Sequence, residues 1–232
     1  MGEITITMIK AVLFDLDGVL VDAVGWHQEA FIRAVKEVSG YEITEEFHME
    51  HLNGLPSKKK LEWLSRKKLV EVRHHDDIYK IKQTRTLDII SEANGEYVDP
   101  ETHRNMTKRL LWDTKKQAMM DMLRADGIRI ACVTNSIRKS TYKMLDYTGL
   151  HRKIDYLITN EDVKHPKPHP EGYWLAMIEF GVLPEETVII EDSPKGLAAA
   201  KATGAHVWHV EGPHEVNWMN LAEVLKNAQS ND

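Results

Sequence analysis

The chain has 232 residues, a mass of 26.7 kDa and 42% hydrophobic content, enough for one ample core or one domain carrying a sizeable insertion. Such a composition excludes collagen, coiled coil and disorder. A formal charge of −6 with a pI near 6.1 supplies no basic face for duplex nucleic acid, and no window approaches the roughly 18 to 20 apolar residues that cross a bilayer, so neither nucleic acid nor membrane is an expected partner. The one cysteine, Cys132, cannot form an internal disulfide; it sits in the apolar run Ile130-Ala131-Cys132-Val133 and is expected to be a buried small hydrophobe, with a reducing cytoplasm as the default location. Met1 to Thr7 lacks the basic start and apolar run of a secretory signal. It is expected to be a short native extension that begins a strand, with nothing cleaved.

In chain order, Ile9 to Phe14 is a short, nearly continuous apolar run that stops at Asp15-Leu16-Asp17-Gly18, as a strand buried on both faces does when it ends in a polar loop. The stretch from about Asp22 to Leu110 carries helical periodicity without convincing strands, through Trp26–Val38, Leu61–Leu64 and Ile78–Ile90. Alternation then resumes. Strands are expected at Ile128–Val133, Tyr156–Ile158, Thr187–Ile190 and His206–Val210, ending respectively in Thr134-Asn135-Ser136, Thr159-Asn160, Glu191-Asp192 and Glu211-Gly212-Pro213. Helices are expected at Lys115–Ala125, Lys139–Tyr147, Pro170–Phe180 and Pro194–Thr203, each followed closely by a glycine suited to the left-handed C-cap position. Strict alternation with short connections implies right-handed crossovers and a parallel sheet covered on both faces, whose ligand sits outside the carboxyl ends of the strands. The fold class is therefore α/β, a Rossmann-like doubly wound parallel sheet with an inserted helical domain. The core is expected in residues 1–22 and 110–232, and the insert in 23–109, placed as a lid above the strand ends.

The ordered set Asp15-x-Asp17-Gly18 (in DLDGVLVD), Thr134-Asn135-Ser136 (in VTNS), Lys167-Pro168 (in HPKPHPEGY) and Glu191-Asp192 (in IIEDSPKGLAAAKATGA) resembles the four motifs of the haloacid dehalogenase (HAD) superfamily. The resemblance implies that Asp15 is a nucleophile that becomes an aspartyl-phosphate and that Asp17 is the acid/base, its backbone carbonyl joining a metal shell. It further implies that Thr134, the Asn135 amide and Ser136 hold phosphate oxygens, that Lys167 bridges nucleophile and phosphoryl group, and that Asp192, with Glu191 directly or through water, completes a Mg²⁺ site with Asp15. These residue types suit phosphoryl transfer, which needs a nucleophilic oxygen, a hard cation, fixed donors and a group that handles a proton. Dehalogenases of the superfamily replace the second aspartate; Asp17 here favours phosphoester chemistry.

The insert resembles the C1-type cap that accompanies small organic phosphates, in the manner of the β-phosphoglucomutase-like and phosphatase subgroup. His27, Lys58 in the Asn53–Lys58 loop, and Lys82 are the expected substrate-binding cap residues, His27 and Lys82 by their likeness in position to functional residues of the mutases. Lys58-Lys59-Lys60 and Arg66-Lys67-Lys68 are expected to be a solvated basic face, and His74-His75-Asp76-Asp77 a cap loop. The leading expectation is a Mg²⁺-dependent phosphatase acting on a small phosphorylated metabolite, a sugar phosphate above others, as a monomer or weak homodimer. A sugar-phosphate mutase and a catalytically silent binding module are the alternatives.

Overall fold

At every position of the first strand, β1 (Ala11–Phe14), the side chain is buried, so both faces of the ribbon must be covered. The chain then runs through α1 (Val24–Ser39), α2 (Glu45–His51), α3 (Ser57–Arg66), α4 (His75–Ala93) and a hairpin of β2 (Glu96–Val98) and β3 (Asn105–Thr107). It continues as α5 (Thr114–Ala125), β4 (Arg129–Val133), α6 (Arg138–Thr148), β5 (Tyr156–Ile158), α7 (Glu171–Phe180), β6 (Thr187–Glu191), α8 (Pro194–Lys201), β7 (His206–His209) and α9 (Trp218–Ser230). This computed structural model describes residues 8–100, 102 and 105–230; the segment Met1 to Thr7, expected to begin a strand, lies outside the described residues. Contacts divide the chain into two compact units, one running up to Ala23 and again from Leu111, the other Val24–Leu110. None of the helices among the described residues is long and apolar enough to cross a membrane.

The first unit holds a five-stranded parallel sheet in the order β5-β4-β1-β6-β7. Ala11, Leu13, Ala131, Val133, Ile158 and Ile189 pack on Tyr173, Ala176 and Met177 of α7 and on Ala199 and Ala200 of α8. The alternate residues Val12, Phe14, Ile130, Cys132, Val188 and Ile190 are equally buried, which explains why these strands read as continuous apolar runs. Cys132 is among them, and burial pushes its thiol well above the ordinary value, leaving an inert sulfur. Register fixes the site: Phe14 lies opposite Cys132 on one side and Ile190 on the other, so the next residues, Asp15 just past β1 and Val133 and Glu191 at the ends of β4 and β6, come at one level. From β1 the order runs through β4 to β5 in one direction and through β6 to β7 in the other. The carboxyl ends of β1 and β6 therefore flank the switch point, where ligands of such sheets bind.

The second unit is helical around Phe31, Ala34, Val35, Leu52, Leu61, Leu64 and Ile78. It departs from expectation in three places. Strands β2 and β3 were not legible, because all six of their residues are exposed and no burial alternation marks them. His74 lies in a 3-10 turn and His75 opens α4, with Asp76 and Asp77 in its first turn, where acidic side chains offset the orphan amides; the segment is a helix start and not a loop. Lys60 is not on a solvated face: it is buried, its Nζ 2.7 Å from His48 Nε2 and 5.1 Å from the Phe31 ring centre.

Lys60 donates to Nε2, so the neutral His48 carries its proton on Nδ1, a buried nitrogen that finds no acceptor among the described residues. Burial, and then the Lys60 charge, lower the His48 pKa to about 4. The unfolded chain, with an ordinary histidine, binds this proton more readily than the folded one. The contribution to stability is therefore complete above about pH 6.5 and declines as pH falls towards 4. The urea midpoint should drop across that window, and the His48→Leu/Lys60→Met double replacement, which removes both partners, should show a smaller drop. Identical profiles would remove His48 from the acid response.

Candidate active site

Beyond β1 the chain turns sharply: the Gly18 amide donates to Val21 O at 2.7 Å, and Leu20 and Val21 both donate back to Leu16 O. Gly18 has φ +90°, and a Cβ there would lie 2.0 Å from Asp192 Oδ2, so the turn after Asp17 requires glycine on two counts. At the end of β6 the Glu191 side chain occupies the space a Cβ on Gly196 would need, 2.0 Å from its carboxylate carbon. Ser193 then caps α8 by accepting from the Gly196 amide at 3.1 Å.

Lys167 stands at the centre. Its Nζ donates to Asp15 Oδ1 at 2.6 Å, to Glu191 Oε1 at 2.5 Å and to Val133 O at 2.7 Å, using all three ammonium protons. Burial works against this charge, but Asp15 and Glu191 outweigh it and hold the ammonium above its usual range. The backbone of Lys167 is fixed by Asn135, whose side-chain oxygen accepts from Lys167 N and whose amide donates to Lys167 O, both at 3.0 Å. Sequence reasoning assigned Asn135 only its backbone amide; its side chain clamps the lysine segment. Tyr173, also missed, is wholly buried on α7; its hydroxyl donates to Glu191 Oε1 at 2.5 Å, and Lys167 Nζ sits 4.8 Å from its ring centre. The signal was present in the HPKPHPEGY stretch, yet a tyrosine on a helix gives no hint of the strand end it will reach.

The two aspartates of the first loop have different partners. Asp15 faces Lys167, whereas Asp17 Oδ2 accepts from Ser136 Oγ at 2.6 Å and more distantly from Thr134 Oγ1 at 3.5 Å; Thr134 Oγ1 in turn accepts from Ser136 N at 3.0 Å. All eight core residues singled out in the sequence, Asp15, Asp17, Thr134, Asn135, Ser136, Lys167, Glu191 and Asp192, thus fall at the strand ends of the first unit. In the second unit His27 and Lys82 come together, Nδ1 to Nζ 3.3 Å, with Lys82 buried, while Lys58 lies exposed in the first turn of α3.

Asp15, Glu191 and Asp192 offer carboxylate oxygens that all lie within 4.8 Å of one another. Three observations fit a hard divalent cation there. Asp192 Oδ1 is buried and accepts no hydrogen bond from the described residues. Burial, reinforced by Glu191, raises the Asp192 pKa to about 6, and burial drives Asp15 well above the carboxylate range despite Lys167. An all-oxygen donor set is also the one that Mg²⁺ takes. Glu191 differs from the other two: Lys167 and Tyr173 share its Oε1.

The profile of the haloacid dehalogenase-like hydrolases matches residues 12–210, and the chain belongs to that family of enzymes. A phosphorylated carbohydrates phosphatase of Thermotoga maritima is 28% identical over 196 residues, covering 84% of this chain and 82% of that protein. A phosphoglycolate phosphatase of Nitrosospira multiformis is 27% identical over 209 residues, covering 87% of this chain and 83% of the relative. Among solved structures, a β-phosphoglucomutase of Clostridium difficile matches with a TM-score of 0.70 at 20% identity, over 95% of this chain and 98% of its own, a likeness of fold.

Proposed function

We propose that the chain is a Mg²⁺-dependent phosphatase of small organic phosphomonoesters, with a sugar phosphate as substrate, working through an aspartyl-phosphate on Asp15. The observation that carries this reading is the division of labour between two carboxylates two residues apart: one paired with a buried ammonium, the other held by two hydroxyls. Such a difference in surroundings is how one site assigns a nucleophile and an acid/base. The phosphatase names of the relatives from Thermotoga maritima and Nitrosospira multiformis support it.

In this mechanism Asp15 attacks phosphorus, forming an oxygen–phosphorus bond as the bond to the leaving alkoxide breaks, and Asp17 delivers its proton to that oxygen. A water then attacks the acyl-phosphate while Asp17 takes its proton back, releasing inorganic phosphate and restoring Asp15. Thr134 and the Asn135 amide hold transferring oxygens. Lys167 offsets the charge of Asp15 and of the incoming dianion. Asp15, Asp192 and the Asp17 carbonyl, supported by Glu191, would hold Mg²⁺, which supplies charge neutralisation and orientation. Hydrolysis should cease after exhaustive chelation and return with Mg²⁺ but not with Ca²⁺, which takes more oxygens at longer range and can draw both oxygens of Asp15 into coordination. Full activity after chelation would end the metal assignment.

The deciding experiment is a panel of phosphorylated metabolites read for both free phosphate and isomerised product. Phosphate release alone supports the phosphatase; an isomerised product with little phosphate would replace it with a mutase. The pairing of His27 with Lys82 makes these the residues of choice for substrate selection in the helical unit. Lys82→Ala should cost about 1.5–3 kcal/mol in kcat/KM on the best sugar phosphate, the range of a charge-assisted hydrogen bond, and leave p-nitrophenyl phosphate hydrolysis unchanged. Equal losses on both substrates would move Lys82 out of substrate recognition.

A further inference from the structure

His165, His169 and Glu171 flank the segment that carries Lys167 and lie apart from the carboxylate cluster, and the proposed mechanism uses none of them. Their ligating atoms all lie within 4.8 Å of one another. The carboxylate is anchored before any ion arrives: Glu171 Oε1 accepts from Lys164 N at 2.8 Å, and Oε2 accepts from His165 N at 3.0 Å. These backbone bonds hold Glu171 below the usual carboxylate range, as an anion. His165 Nδ1 sits 2.8 Å from Glu171 Oε2, the two imidazole centres are 4.8 Å apart, and the Trp174 ring meets His169 edge-on at 5.9 Å. Both histidines are exposed, so a solvent ion can reach the group directly.

We infer that His165, His169 and Glu171 form a second metal site, one for a borderline divalent transition ion such as Zn²⁺ or Ni²⁺. Two imidazoles and a carboxylate are the donors such ions take, while Mg²⁺ prefers the all-oxygen set at Asp15 and Asp192, so the two clusters sort different metals. The ion enters between His165 Nδ1 and Glu171 Oε2, 2.8 Å apart, taking the Nδ1 lone pair of the tautomer that carries the ring proton on Nε2. Glu171 keeps its backbone bonds, which act as the outer supports that orient a ligand. If His169 binds through Nδ1 it releases its 3.2 Å bond from the Glu171 amide, a weak contact. The amino end of α7 opposes a cation, but only as a partial charge, and the Glu171 carboxylate sits upon it. Three protein donors leave one tetrahedral position for water.

The test is calorimetric titration of the full chain with Zn²⁺ in the presence of excess Mg²⁺, backed by the visible absorption of Co²⁺, whose intensity reports tetrahedral nitrogen and oxygen ligation. One equivalent of Zn²⁺ should bind in the presence of Mg²⁺ and survive Asp192→Asn. His165→Ala and His169→Ala should each weaken it at least about tenfold, with circular dichroism confirming the fold. Zn²⁺ binding unchanged in the double histidine variant, or abolished by Asp192→Asn, would overturn the proposal. In wild-type protein, imidazole NMR signals that move with Zn²⁺ should be those of His165 and His169; movement confined to other histidines would equally overturn it.

Discussion

Replacing Asp15 by Asn is expected to leave a folded protein with turnover reduced about 10⁴-fold, the scale on which removal of a single catalytic carboxylate acts. Asn keeps the shape of the side chain and an oxygen for Lys167 Nζ, so the 2.6 Å contact at the strand end can persist. It withdraws the lone pair that attacks phosphorus and half the charge facing the ammonium. It also relieves the repulsion with Glu191 and Asp17, both of which push the Asp15 pKa up, so little stability should be lost. Rapid acid quench after exposure to a labelled sugar phosphate should find phosphate on the Asp15 peptide of the wild type and none on the variant. More than about a tenth of wild-type turnover in Asp15→Asn, with the fold intact by thermal melting, would take the nucleophile role from this residue.

The sheet and the strand-end site were legible because the signals are local. The central strands β1, β4 and β6 are buried on both faces along nearly their whole length and so read as apolar runs, and each run stops where polar residues must begin. Asp15, Thr134 and Glu191 could be placed at one end of the sheet before any distance was known, since parallel strands share one direction. What escaped depends on partners distant in sequence. Nothing local says that the Tyr173 hydroxyl reaches Glu191 or that the Asn135 side chain grips Lys167 on both sides of its backbone. Lys60 looked like one of three solvated lysines, and only the packing of α2 and α3 shows it against His48 and Phe31. The β2–β3 hairpin escaped for the opposite reason: its strands bury nothing, so no pattern of burial was imprinted on their sequence.

The largest effect on stability, together with a loss of turnover, is expected from Lys167→Met. Lys167 lies between two carboxylates, and its loss leaves Asp15 and Glu191 buried without their ammonium, while Asn135 continues to fix an emptied segment. Breaking a buried pair by removing one partner costs about 3–5 kcal/mol, because the remaining charge is uncompensated. Turnover should also fall about 10²–10³-fold, since a donor aimed at the transferring charge is gone. The two losses have different origins, and a second replacement separates them. Glu191→Gln removes one of the two uncompensated charges but keeps an oxygen for the Tyr173 hydroxyl, so Lys167→Met/Glu191→Gln should regain part of the stability lost in Lys167→Met alone. Turnover should stay low in the double variant, because removing the Glu191 charge does not restore the ammonium that faces the phosphoryl oxygens. Urea unfolding and p-nitrophenyl phosphate hydrolysis of the two single variants and the double variant form the thermodynamic cycle that reads this coupling. If stability changes simply added, Lys167 and Glu191 would not act as a pair, and if turnover recovered along with stability, the lysine would be a structural counter-charge and not part of phosphoryl transfer.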